Sequence, residues 1–71
     1  MFMTFPEVLI LKEIITKKFN KYLHFHDSCG GQYFSFDEDV DSAVKDYIIG
    51  YFGEKDASVE FSEDGRSFTV N

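Results

Sequence analysis

A chain of 71 residues, 44% hydrophobic and 18% aromatic, is long enough for one domain and too apolar to remain disordered. Seven Lys and Arg against thirteen Asp and Glu give a formal charge of −6, carried as +2 over residues 1–22 and −8 over residues 23–71. Most of the molecule therefore repels a nucleic-acid backbone or an anionic lipid surface, which excludes both as expected partners.

The single cysteine, Cys29, excludes an intrachain disulfide and fits a reducing compartment. Met1 to Leu11 is apolar, but it has no basic leader or small-residue cleavage site. Pro6, Glu7 and Lys12 interrupt it well short of the ~20 residues that span a bilayer. The expectation is a cytoplasmic protein with no membrane partner, folded as one domain over residues 1–71.

In chain order, Thr4-Phe-Pro-Glu7 matches a helix capping box, with Pro6 suited to a first turn. Val8, Leu11, Ile15 and Phe19 then recur at helical spacing, with Leu9, Ile10 and Ile14 widening the apolar stripe, and Asn20 offers a left-handed stop. Residues 22–36 change period: Leu23 and Phe25 alternate with His24 and His26, and Phe34 and Phe36 with Tyr33 and Ser35. Asp27-Ser-Cys-Gly-Gly31 lies between and is rich in turn formers, so a β-hairpin is expected there, with Gly30 and Gly31 supplying positive φ angles.

Asp37 then reads as the N-cap of a second helix, with Glu38, Asp39 and Asp41 at its positive end. Val40, Ala43, Val44, Tyr47, Ile48, Tyr51 and Phe52 form its apolar stripe, and Gly53 ends it. Val59-Glu-Phe61 and Phe68-Thr-Val70, joined through Glu63-Asp-Gly-Arg66, make a second hairpin. Superposed, the halves pair Phe19 with Phe52, Leu23 and Phe25 with Val59 and Phe61, and Phe34 and Phe36 with Phe68 and Val70. The fold class is α+β: a tandem αββ repeat forming a four-stranded, mainly antiparallel sheet with two helices on one face. Eight residues separate Phe25 from Phe34 and six separate Phe61 from Phe68, which predicts a longer first turn.

That turn holds the candidate site. Leu23-His-Phe-His-Asp-Ser-Cys-Gly-Gly-Gln-Tyr-Phe34 resembles a small family of bacterial proteins, the RDAC proteins, which share a His-Asp-x-Cys-Gly-Gly-Gln-like turn. The resemblance extends loosely to the following helix and the final Phe-rich hairpin, from about Leu11 onward. It departs from the family's name at His26, where Arg is expected. The family brings no assigned activity, so the resemblance implies a shape and directs attention to Asp27, Cys29, Gly30, Gly31 and Gln32 without implying a function.

The residues support three readings. His24 and His26, two apart on a strand, project from one face roughly 6.5–7 Å apart, and with Cys29 and Asp27 they form a candidate metal set suited to zinc, copper or iron. The same strand pattern is what a half-exposed strand shows without any metal. Cys29 with His26 as base, and Gln32 beside it, is a candidate reactive thiol; Asp27 opposes thiolate formation, and a small buried cysteine that fits a tight turn is the favoured explanation.

The third reading is recognition by the uncovered sheet face, which would present His24, His26, Tyr33, Ser35, Glu60, Ser62, Ser67 and Thr69. No Ser-His-Asp set, phosphate loop or dinucleotide fingerprint is present, and Glu60, Glu63 and Asp64 read as solvated charge. The leading expectation is a non-enzymatic accessory domain that binds a protein partner or a second copy of itself, with no catalytic residue and no cofactor. A metal- or thiol-dependent site at His24, His26, Cys29 and Gln32 is the alternative.

Overall fold

In the computed structural model, which describes residues 2–28 and 30–71, the first helix begins where its capping chemistry directs. The Thr4 amide donates to Glu7 Oε1 at 2.8 Å and the Glu7 amide to the Thr4 hydroxyl, so two amides otherwise without partners are satisfied reciprocally. Helix α1 (Phe5–Phe19) follows and closes on Asn20 in the left-handed conformation, φ 56°. Val8, Leu11 and Ile15 point into the core.

Strands β1 (Leu23–Ser28) and β2 (Gly31–Phe36) form the first hairpin. Its ladder runs from Leu23 opposite Phe36 to Ser28 opposite Gly31. Only positions 29 and 30 remain between the strands, so the expected long turn is instead a long hairpin with a two-residue connection. Asp27 and Ser28, expected in the turn, are paired strand residues, because Asp27 sits opposite Gln32 in register. Gly31 does have positive φ, at 121°. The cysteine on which the thiol reading depends, Cys29, lies outside the described residues.

Helix α2 (Ser42–Gly53) starts later than expected. Its N-cap is Asp41, whose carboxylate accepts from the Val44 amide at 3.2 Å, and not Asp37. The reason lies outside the helix. Asp37, Glu38 and Asp39 each reach a side chain elsewhere in the fold: His24, Lys21 and Arg66 at 2.8, 3.0 and 2.8 Å. Val40 is buried just ahead of the cap, as Met3 is ahead of Thr4. The helix stops on Gly53, and the left-handed residue comes three positions later, at Asp56.

Strands β3 (Val59–Phe61) and β4 (Ser67–Val70) complete an antiparallel sheet in the order β1-β2-β4-β3. The second loop is the longer one. The Ser62 amide donates to the Ser67 carbonyl, Gly65 turns through φ 75°, and the Asp64 carboxylate accepts from the Ser62 hydroxyl and the Arg66 amide. Central strands β2 and β4 pair with Phe34 directly opposite Phe68, and these two residues are equivalent in the tandem αββ repeat. An approximate two-fold axis therefore passes through that pair, whose rings stack at 4.9 Å. Both helices cover one face, where Leu11, Ile15, Val44, Ile48 and Phe52 close over Leu23, Phe34, Phe36 and Phe68.

Candidate functional site

The face of the sheet away from the helices is set by strand alternation. Leu23, Phe25, Phe34, Phe36, Phe61 and Phe68 turn inward. His24, His26, Tyr33, Ser35, Glu60, Ser67 and Thr69 therefore turn outward, with Ser62 at the end of the same row. Asp27 and Gln32 share parity with the inward row. The Gln32 side-chain amide lies against the segment before α1, donating to the Met3 carbonyl at 3.0 Å and accepting from the Met3 amide at 2.8 Å. The sheet thus stands between Gln32 or Asp27 and the two histidines. Four residues grouped in sequence as one site are brought to opposite faces because the strands continue through the expected turn.

On the β1 side, the open face is occupied by its own interactions. His24 Nε2 meets Asp37 Oδ2 and His26 Nε2 meets Ser35 Oγ, both at 2.8 Å. The His24 ring stacks on Tyr22 at 4.9 Å, and Lys12 lies over the other end of that cluster, 5.8 Å from the Tyr22 centroid. His26 stacks on Tyr33 at 4.4 Å with only 11° between the planes. The two imidazoles share a face but hold separate partners. Among the described residues no group of three His, Cys, Asp or Glu side chains is arranged to hold a metal ion.

The β4–β3 side differs. Tyr33, Glu60, Ser62, Ser67 and Thr69 border a shallow groove of about 190 Å³ that runs over the strands at Phe61 and Phe68, whose side chains turn to the other face. Tyr33 is 40% exposed, and since His26 covers one face of its ring, the other face borders the groove. Among the described residues, the Glu60 carboxylate has no ion pair and the hydroxyls of Tyr33, Ser67 and Thr69 have no hydrogen-bond partner. At the groove's end, the Asp64 carboxyl is held below the usual carboxylate range by the Ser62 hydroxyl and then the Arg66 amide.

The sequence placed Glu60, Ser67 and Thr69 on this face but drew attention to His24 and His26. The cue that separates the two halves was legible only in part. Ser35 within β2 and Asp37 just after it lie close enough to reach histidines across the hairpin, whereas nothing in sequence places a charged partner beside Glu60. No family model, curated protein or solved structure matches this chain.

Proposed function

We propose that this chain is a non-enzymatic interaction module that docks a protein partner on the open face of its sheet. One observation carries the reading: Tyr33 and Glu60, exposed, and Ser67 and Thr69, half-buried, form a contiguous row with unspent hydrogen-bonding capacity among the described residues, on a face that no helix covers. Tyrosine with its polar tip is a residue that interfaces favour, and a rigid antiparallel sheet holds the row without a large entropic cost on binding. The single cysteine and the acidic charge favour a cytoplasmic setting, and the Asp27–Gln32 resemblance favours membership of the bacterial RDAC family. Metal binding at His24 and His26 is the weaker proposal, because each Nε2 would first have to leave an intrachain partner.

The test is affinity capture from extracts of the source organism with the wild-type chain and with Thr69→Arg, which places a bulky cation in the middle of the row. Circular dichroism verifies that the variant folds, and sedimentation identifies a partner that is a second copy. Partners retained by the wild type and lost by the variant are expected. Identical capture and identical sedimentation by both would sink the proposal.

A further inference from the structure

We infer that the groove bordered by Tyr33 and Glu60 receives an arginine side chain from a basic polypeptide segment. This rests on the reading of the open face as a docking surface and names the chemistry of the partner. The strands contain no Lys or Arg: all seven cations lie in the helices, their connections or the β3–β4 turn. Five of them meet partners away from the groove. Lys17 pairs with Glu13, Lys21 with Glu38 and Arg66 with Asp39, while Lys18 and Lys55 lie over Tyr47 and Tyr51. Of the other two, Lys12 lies over Tyr22, on the β1 side, and Lys45 over Phe61, an inward-facing residue.

Among the described residues, the unpaired carboxylate of Glu60 therefore faces a groove lined by no Lys or Arg, in a chain whose formal charge is −6. The remaining lining chemistry matches a guanidinium. Such a group is planar, stacks on an aromatic face and carries five donors with no acceptor. The groove offers one open tyrosine ring face, one carboxylate, and the hydroxyl oxygens of Ser67 and Thr69 as further acceptors. A lysine ammonium has neither the planar face nor the fork, so the geometry favours arginine. The chain's negative field would also draw a basic segment toward the face and raise its encounter rate.

The probe is a capped peptide of three Gly-Arg-Ser repeats titrated into the full chain, followed by backbone amide NMR at low and moderate salt. Shifts are expected at Tyr33, Glu60, Ser67 and Thr69, with weaker binding of the Gly-Lys-Ser counterpart. Glu60→Gln weakens the arginine peptide about threefold, as expected from loss of one exposed ion pair. Tyr33→Leu weakens it by a similar factor of about three through loss of the cation–π contact. Shifts confined to the acidic residues 37–41, or equal binding of the two peptides with no effect of Glu60→Gln, would overturn the arginine assignment. Silent peptides together with capture that still depends on Thr69 would remove this inference and leave the docking face standing. Silent peptides with capture indifferent to Thr69→Arg would remove both.

Discussion

Four exposed carboxylates are tuned by their immediate neighbours. The Thr4 amide and then its hydroxyl hold Glu7 below its ordinary value, Lys17 does so for Glu13, Arg66 for Asp39, and the Ser62 hydroxyl with the Arg66 amide for Asp64. Each therefore binds protons less readily folded than unfolded. The stability they contribute is fully present above the unfolded carboxylate values of 3.8 and 4.5 and is lost as pH falls through the lowered folded ones. Thermal unfolding midpoints should hold between pH 8 and about 5 and fall below about 4. The double variant Asp39→Asn, Asp64→Asn should show a shallower acid decline. An unchanged slope would remove these two groups from the explanation.

Legibility at this scale followed the reach of each contact. The Thr4–Glu7 box and the Asn20 cap were readable because their partners lie within a turn. The loops and caps that were displaced depend on distant residues. Asp37, Glu38 and Asp39 look like the acidic start of a helix until His24, Lys21 and Arg66 are placed beside them.

Among the elements, the two helix starts have converged on one construction. Thr4 and Asp41 both take extended backbone, φ −80° and −81°, and each accepts from the amide three residues on. Asp41→Ala should therefore cost about 1 kcal/mol, a fall of roughly 4–8 °C in the unfolding midpoint for a domain of this length. Asp37→Ala removes only a surface contact to His24 and should cost well under half as much. Urea unfolding of the pair measures the difference, and equal losses would return the cap to Asp37. The alternation within strands was legible because Phe and His, or Phe and Ser, differ sharply in polarity. The extent of the first hairpin was not. Asp27, Ser28 and Gly31 have turn-forming chemistry, yet cross-strand pairing keeps them in the ladder, and that pairing holds Gln32 on the helix side.

For the whole molecule, the repeat was visible in sequence while the strand order was not. Hydrophobic spacing is local, but the joining of β2 to β4 is a contact between residues 34 apart in sequence, and only the finished core selects it. That pairing also divides the open face. β1, at one edge, is served by Asp37 and Ser35, whereas at the other edge the Glu60 carboxylate of β3 has no ion pair among the described residues. A nearly symmetric fold thereby presents one self-satisfied flank and one receptive flank, which is why the docking proposal falls on the second half of the repeat and not on the histidines.

The burial of Met3 and Val40 ahead of the two helix caps has a further consequence. Five residues, 37–41, connect β2 to α2. Phe2 and Asn71 border one cleft, so the segment before α1 and the end of β4 lie close together. A circularly permuted chain, with Asn71 joined to Met1 and new ends made between Glu38 and Asp39, should keep the β1-β2-β4-β3 order. Cross-strand nuclear Overhauser contacts between Phe34 and Phe68 would report it, and their loss would show that the continuous β2–α2 connection is needed for that order.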